Sequence, residues 1–167
     1  AKIPNTKCII LDSSEILSDN IPENIYRDTG SCQNGLDTLQ NDLLTKEQQG
    51  LEYTTICVIV GITNLLSKLD LTKKNEITDL FDKKLKSGKL KLIIVDVIDN
   101  IKSIGYDTWY KSNTDLAEGV WIGNGISNQF TFKITTNSRI LRQELEPKFG
   151  FVLEKGKATV IKLLSDE

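Results

Sequence analysis

Gly61 and Ile62 occupy a position where a nucleotide hydrolase would carry acidic residues. They follow an apolar run, Thr54–Val60, whose β-branched residues predict a buried strand. In a nucleotide hydrolase, carboxylates at the end of such a strand hold magnesium and orient the attacking water. Glycine and isoleucine can do neither, so the pattern predicts no catalytic residue at this strand end.

Two other acidic groups follow apolar runs. Asp12 and Glu15 enclose two serines, and this segment could hold a ribose or a metal, or Asp12 or Ser13 could cap a helical turn. Asp96 and Asp99 have a spacing compatible with general acid–base work. Nothing else reactive accompanies either group, so the cap is favoured for the first and a helix start for the second.

The composition excludes several kinds of chemistry. The 167 residues contain no histidine, which removes the commonest general base and the commonest metal ligand. Cys8, Cys32 and Cys57 lie far apart, without metal-site spacing, and are expected to be buried, reduced thiols. A net charge of -2, from 21 basic and 23 acidic residues, disfavours a nucleic-acid partner. We expect no catalytic residue, no metal and no cofactor in this domain.

The elements that would position these residues alternate along the first two thirds of the chain. Apolar runs at 8–11, 56–60 and 90–97 predict parallel strands that are buried on both faces. Helical spacing of leucines predicts a helix of about 17 residues that begins near Ser31, with Ser31 or Asn34 as its cap. Further helices are predicted at 63–69 and 71–86. The order predicts an α/β fold, a mostly parallel sheet with flanking helices.

The last third predicts short strands with turns between them. The strands are expected at 121–124, 129–134, 150–154 and 159–164, with a short helix at 138–145. The last two strands predict a C-terminal antiparallel hairpin with Lys155-Gly156-Lys157 at its tip. No linker is evident, so we expect a single domain over residues 1–167.

Three segments carry a family resemblance: residues 105–111 (GYDTWYK), 117–123 (AEGVWIG) and 145–152 (LEPKFGFV). With the order of elements, they resemble the last ATPase-like domain of the FtsK/SpoIIIE-type membrane proteins of type VII secretion, the EssC/EccC family. The resemblance implies a P-loop ATPase fold of RecA/FtsK-like type. It also implies a fragment of a larger multidomain protein, the cytoplasmic domain of a cell-membrane protein.

In that family a phosphate-binding strand, a glycine-rich loop and a helix precede the strand that corresponds to residues 8–12. No G-x-x-x-x-G-K-[ST] motif occurs in this sequence. Gly61 and Ile62 stand at the family's Walker B acids. The resemblance therefore implies a degenerate ATPase domain, although the parent protein would be an ATPase.

Terminal domains of this family serve recognition and regulation. The implied partners are secreted WXG-type substrates or effectors and the neighbouring ATPase domain, with a membrane reached only through the parent protein. Candidate contact residues are those that line a predicted apolar groove beside the degenerate strand end and an aromatic group in a predicted surface turn. They are Ile62, Leu65 and Leu66, and Tyr106, Trp109 and Tyr110.

Two other functions stay open from the sequence. The domain could bind and hydrolyse ATP with magnesium if its phosphate loop lies upstream of these residues. It could also be a free-standing small-molecule binding protein, which would need a closed apolar pocket with convergent polar groups.

Overall fold

The computed structural model describes residues 6–17 and 25–163. Contacts between Cα atoms divide the chain into two units, residues 1–113 and residues 114–167, and each has its own sheet. The single domain over residues 1–167 stays a prediction. Among the described residues, no helix combines the length and the apolar character that crossing a membrane requires.

The first unit alternates strands and helices. Its strands are β1 (Thr6–Asp12), β2 (Ile25–Arg27), β3 (Thr54–Val60) and β4 (Leu90–Val95). Its helices are α1 (Asp28–Gln48), α2 (Ile62–Ser67), α3 (Leu71–Lys86), α4 (Ile98–Ile104) and α5 (Thr108–Asn113). The four strands run parallel in the order β2-β1-β3-β4. This confirms the predicted α/β class with a mostly parallel sheet.

Helices α1 and α3 lie side by side on one face of this sheet. The connections from β2 to β3 and from β3 to β4 run in the same direction across the sheet, and right-handed crossovers then place both helices on the same face. Two ion pairs join the helices: Lys73 Nζ lies 2.6 Å from Asp37 Oδ1, and Lys84 Nζ lies 2.6 Å from Glu47 Oε2.

The face beneath these helices is the core of the first unit. Ile9, Leu11, Cys57 and Ile59 point into it and are fully buried. Gly35 of α1 lies so close to the sheet that a Cβ there would be 2.5 Å from Leu11 Cδ2. The lack of a side chain at Gly35 therefore sets how closely α1 packs on β1.

The opposite face of the sheet is open to solvent. Ile93 is 51% exposed and Val95 is 42% exposed, Cys8 is exposed, and Ile10 and Val58 are half-buried. The prediction that these strands are buried on both faces is therefore wrong, because both crossover helices cover the same side. We call this mostly apolar surface the open face; its residues are Cys8, Ile10, Ile56, Val58, Lys91, Ile93 and Val95.

The helix boundaries were predicted with mixed success. Helix α3 lies at the predicted residues; the Asp70 carboxylate accepts from Lys73 N at 2.9 Å, and Gly88, with φ +71°, follows its end. Helix α1 begins three residues before the predicted start and has 21 residues. Ser31 does not cap it, because the Ser31 amide and hydroxyl donate to the carboxylate of Asp28 at 3.0 and 2.8 Å.

The second unit is an antiparallel sheet with short helical turns. Its strands are β5 (Gly119–Ile122), β6 (Phe149–Glu154) and β7 (Lys157–Lys162), in the order β5-β6-β7. A 3₁₀ turn (Ile126–Asn128) and α6 (Ser138–Leu141) lie between β5 and β6. The predicted hairpin of β6 and β7 is confirmed. Lys155 and Gly156 both have positive φ, as a two-residue hairpin turn that follows the twist of the strands requires.

Phe151 and Leu153 of β6 centre the core of the second unit, packed with Ile126, Leu141 and Ala158. The strand predicted at 129–134 is wrong. The side chain of Gln129 accepts a hydrogen bond from the amide of Phe132 at 2.6 Å, so a side chain closes a local turn where a ladder was expected.

Candidate functional site

The carboxyl ends of β1 and β3 mark the place where ligands usually bind in a parallel sheet. From these neighbouring strands the chain continues to β2 on one side and to β4 on the other. Such a switch point normally opens a crevice at the strand ends. The residues there are called the switch-point cluster: Ser13, Ser14, Gly61, Asn64 and Asp96.

Hydrogen bonds of the chain itself close this crevice. The Ser13 amide donates to the Val60 carbonyl at 3.1 Å, and the Ser13 hydroxyl donates to the Gly61 carbonyl at 2.6 Å. The Asn64 side-chain amide donates to the Ser13 carbonyl at 2.7 Å. Ser13 is buried. The Ser13 hydroxyl and the Asn64 amide are therefore bonded to the chain itself at the point where a ligand would bind.

Gly61 is held in place by its conformation and by its neighbours. Its φ is +75°, and a Cβ at this position would lie 2.0 Å from the Ser14 hydroxyl oxygen. Any side chain at position 61, a carboxylate included, would have to displace Ser14. Ile62 is fully buried. The two positions predicted to have lost their acids therefore lie in a packed environment.

The Asp12 carboxylate is fully buried and engaged by the backbone. Its two oxygens accept from Ile16 N at 3.3 Å and from Leu17 N at 2.8 Å. Residues 13–17, the described part of the segment after β1, form a turn and no helix. Asp12 thus caps a turn rather than the predicted helical turn, and both of its carboxylate oxygens already accept a backbone hydrogen bond.

Asp96 accepts hydrogen bonds both from α2 and from the start of α4, and it does not pair with Asp99. One oxygen of Asp96 accepts from the Thr63 hydroxyl at 3.0 Å, and the other accepts from Val97 N and from Asn100 Nδ2 at 2.8 and 2.7 Å. Asp99 lies in the first turn of α4 and contacts Lys102 at 2.7 Å. The preferred interpretation of Asp99 as part of a helix start is confirmed.

The candidate partner residues do not share one exposed surface. Ile62, Leu65 and Leu66 of α2 are buried, with at most 3% of their surface exposed. The predicted groove lined by their side chains is therefore wrong, because α2 turns this apolar side into the core. A role of these residues in binding a partner stays a prediction, and it would have to act through packing.

The three aromatic candidates also differ in exposure. Trp109 and Tyr110 belong to α5, and the Trp109 ring lies 5.5 Å from the ring of Phe81 on α3. They are 6% and 7% exposed, so the predicted surface turn is a packed helix. Tyr106, at 91% exposed, is the member of the six whose side chain is free to contact a partner.

Two of the three thiols are fully buried and have raised pKa values. Burial, with smaller effects of the Asp28 and Asp12 charges, raises the pKa of Cys32 to about 11. Burial likewise raises the pKa of Cys57 well above its ordinary value. Cys8 is exposed, contrary to the expectation of a buried thiol. Among residues 6–17 and 25–163, no three His, Cys, Asp or Glu residues come together as a metal site would require.

The open face is the feature that the sequence interpretation missed. Residues Leu90–Val95 alternate between the two faces, with Lys91, Ile93 and Val95 on the outer one. Because apolar residues also occupy most of the outward positions, the sequence shows this alternation only at Lys91. The signal that could have found it is topological, because two crossovers in one direction place their helices on one face.

Comparisons with known proteins support the fold. No family model matches the sequence, and no curated protein matches it. The structure is similar to the cytoplasmic domain of EssC, with a TM-score of 0.64 and 14% identity over 94% of this chain and 33% of that chain. It is similar to EssC (ATPases 2 and 3) from Geobacillus thermodenitrificans, with a TM-score of 0.66 and 14% identity over 96% of this chain and 31% of that chain. This chain thus has the fold seen in EssC ATPase domains and spans about a third of each matched chain.

Proposed function

We propose that this chain is a non-catalytic ATPase-like domain of a type VII secretion motor protein, which binds or selects secretion substrates and regulates the motor. The fold similarity to EssC structures supports the ATPase-like part. The observation that carries the non-catalytic part is the closed switch point, where Ser13, Ser14 and Asn64 surround Gly61.

Closure argues against nucleotide chemistry for two physical reasons. A nucleotide at a switch point needs backbone amides and side chains that are free to bind phosphate and magnesium. Here the Ser13 hydroxyl, the Asn64 amide and the Asp96 carboxylate already hold strand ends and helix starts together. Binding would cost these hydrogen bonds before it gained new ones.

The proposed partners are ones that a domain without nucleotide chemistry could bind. A receptor for WXG-type substrates or for a neighbouring ATPase domain needs shape and apolar area, and it needs no cofactor of its own. We propose that the domain lies on the cytoplasmic side of a cell membrane and reaches the membrane only through the longer motor protein. Substrate binding would then alter how this domain packs on its catalytic neighbour.

Thermal unfolding with ATP and magnesium tests the non-catalytic assignment. We expect no change in the midpoint, because the Ser13 hydroxyl, the Asn64 amide and the Asp96 carboxylate at the switch point are already hydrogen-bonded within the chain. ATP at one hundred times its dissociation constant would add about 2.7 kcal/mol to the free energy of unfolding. A stabilisation of that size, or ATP turnover above the buffer rate, would support the alternative, an ATP-hydrolysing domain whose phosphate loop lies upstream.

Peptide binding tests the receptor assignment. The probe is the fluorescently labelled C-terminal segment of each WXG-type protein encoded beside this gene, measured by anisotropy. We expect binding, with a loss of about tenfold in affinity for Tyr106→Ala, since truncation of an exposed aromatic anchor typically costs more than 1 kcal/mol. Phe130→Ala is the matched control, because Phe130 is an equally exposed aromatic, at 94%, in the second unit. No binding by any segment would reject the receptor function.

A further inference from the structure

The end of the first sheet opposite the switch point carries a surplus of lysines. Parallel strands begin at one end of their sheet, and the helices that connect them finish at that same end. Residues 83–89 run from the last turn of α3 to the start of β4 and contain four lysines and no acid. We call the lysines at this place the basic end; they are Lys7, Lys46, Lys83, Lys84, Lys86 and Lys89.

Carboxylates of the chain pair with four of these six lysines. Within residues 6–17 and 25–163, no carboxylate pairs with Lys83 or Lys89. A further acid, Glu52, is exposed in the loop before β3. The basic end is therefore positively charged in a chain whose net charge is -2. The pairs, with N–O distances between 2.6 and 3.1 Å, are Lys7 and Lys46 with Asp42, Lys84 with Glu47, and Lys86 with Asp82.

Lys89 contacts an aromatic ring instead of a carboxylate. Its Nζ lies 5.3 Å from the centre of the Tyr53 ring, and Lys46 Nζ lies 4.8 Å from the same point. The Tyr53 side chain is buried, and its hydroxyl donates to the Leu43 carbonyl at 3.0 Å, so the ring is held in place. A contact with a ring uses the charge of an ammonium group but not all three of its N–H donors. Lys89 therefore has donors left for an oxygen ligand.

An anion can bind at the basic end without breaking an ion pair of the fold. A carboxylate that accepts from Lys89 leaves the pair of Lys46 with Asp42 intact. Its charge also reduces the repulsion among the ammonium groups. The C-terminal ends of α1 and α3 offset only part of the positive charge, since each amounts to about half an elementary charge. The basic end thus differs from the switch point, whose side chains are already bonded within the chain.

We propose that the basic end binds an acidic peptide segment of a partner protein, with a side-chain carboxylate of the segment accepting from Lys89. Neighbouring acidic side chains of the segment pair with Lys83 and Lys86. The exposed acids Glu47 and Glu52 favour a peptide over an anionic lipid surface. A bilayer would meet these carboxylates together with the lysines, whereas a peptide can place single carboxylates on single ammonium groups.

Fluorescence anisotropy with synthetic peptides tests this proposal on the 167-residue chain. The probe is a labelled peptide of alternating Glu and Gly, and the matched probe has Gln in place of each Glu. We expect the Glu peptide to bind at least about tenfold more tightly than the Gln peptide at low salt. Its affinity should fall as salt is added, because salt screens exposed charges. Equal affinities of the two peptides would overturn the proposal.

Variants of Lys89 locate the binding site. Lys89→Gln should weaken binding of the Glu peptide by about fivefold, with a nearly unchanged melting temperature, since no carboxylate of the described chain depends on Lys89. Lys89→Arg should retain most of the affinity, because the guanidinium group keeps both the charge and the donors. Lys68→Gln is the matched control, as it removes the same charge from an exposed residue between α2 and α3, at the switch-point end. Equal losses for Lys89→Gln and Lys68→Gln would reflect net charge alone and would overturn the proposal.

Two further probes distinguish the source of the anion. Succinate carries two carboxylates without a peptide, and we expect it to bind at least about tenfold more weakly than the Glu peptide, which can contact several lysines at once. Succinate that binds as tightly as the peptide would overturn the proposal in favour of a free dicarboxylate. Sedimentation with phosphatidylserine vesicles, without binding of the Glu peptide, would overturn it in favour of a lipid surface.

The inference does not rest on the proposed function. Its probes are synthetic, and its readout is Lys89, whereas the receptor test uses segments of WXG-type proteins and the Tyr106→Ala variant. The basic end could therefore bind the Glu peptide in a domain that binds no WXG-type segment, and the reverse result is equally distinct.

Discussion

At the scale of single residues, Gly61 combines two constraints that can be separated by experiment. Its φ of +75° favours glycine, and its Cα faces the Ser14 side chain. Gly50 has a similar φ of +64°, but a Cβ there would meet nothing within 4 Å. The pair therefore separates backbone strain from steric overlap.

We expect Gly61→Ala to lower the free energy of unfolding by about 2 to 4 kcal/mol, through strain plus displacement of Ser14. Gly50→Ala should cost only about 1 kcal/mol, from strain alone. Urea denaturation of both variants measures the difference. Equal losses would show that the switch point is less tightly closed than the distances indicate.

Asp42 gives a prediction about how the stability of the fold depends on pH. Burial opposes ionisation of Asp42, but hydrogen bonds from Lys46 and Lys7 outweigh it and hold the pKa of Asp42 below its ordinary value. A lowered pKa in the folded state means that the ionised carboxylate stabilises the fold above the ordinary pKa. This stabilisation is lost as the pH falls through the folded-state pKa.

Asp42→Asn should therefore be less stable than the wild type by about 1 kcal/mol near pH 7. The difference should shrink as the pH falls below about 4. Denaturation at a series of pH values measures it. Asp99→Asn is the control, because the exposed pair of Asp99 with Lys102 contributes little. A difference that does not vary with pH would contradict the role of the two lysines.

At the scale of elements, helix α1 contains two glycines, and we expect their substitution by alanine to change the stability in opposite directions. A Cβ at Gly35 would lie 2.5 Å from Leu11 Cδ2 and 2.7 Å from the ring of Tyr26. A Cβ at Gly30 would come no closer than 3.3 Å to the Asp28 carboxylate. The helix propensity of alanine favours both substitutions equally, so packing alone decides the sign.

We expect Gly35→Ala to destabilise the protein by about 1 to 3 kcal/mol, through overpacking against the sheet. Gly30→Ala should stabilise it by up to about 1 kcal/mol. Chemical denaturation of the two variants checks this prediction. A stabilising Gly35→Ala would mean that α1 packs less closely on β1 and β2.

Elements whose bounds are set by nearby residues were predicted from the sequence more accurately than elements that depend on distant contacts. Helix α3 lies at the predicted residues, and the features that set its bounds, the cap at Asp70 and Gly88 after its end, are local in the sequence. The strand expected at 129–134 failed because the Gln129 side chain competes with the sheet for the Phe132 amide.

The site was less predictable than the elements. The absence of acids at Gly61 and Ile62 is visible in the sequence, but the closure by Ser13 and Asn64 depends on contacts between distant strand ends. The burial of Leu65 and of Trp109 depends on which side of a short helix faces the core. Six-residue helices such as α2 and α5 carry too little periodicity to show that side.

At the scale of the whole molecule, the two units give a test of cooperativity. Phe81 centres the packing of α3 with α5 in the first unit, and Phe151 lies in the core of the second unit; both are fully buried. The sequence predicts one domain over residues 1–167, which implies a single unfolding transition.

Phe81→Ala and Phe151→Ala should therefore each lower the midpoint of the same calorimetric transition, at a cost of about 3 to 5 kcal/mol. Val160→Ala is the control, since Val160 is a 37% exposed residue of β7 and its truncation should change the midpoint little. Two transitions, each sensitive to only one of the two phenylalanine variants, would show that the units unfold separately.

The contact of Gly61 with Ser14 also bears on how sequences of this fold can change over time. An acidic residue restored at position 61 would collide with Ser14 unless that side chain moved as well. A lineage that regained a carboxylate there would therefore have to accept both the strain of a side chain at positive φ and a rotation of the Ser14 side chain, so this change alone would weaken the fold.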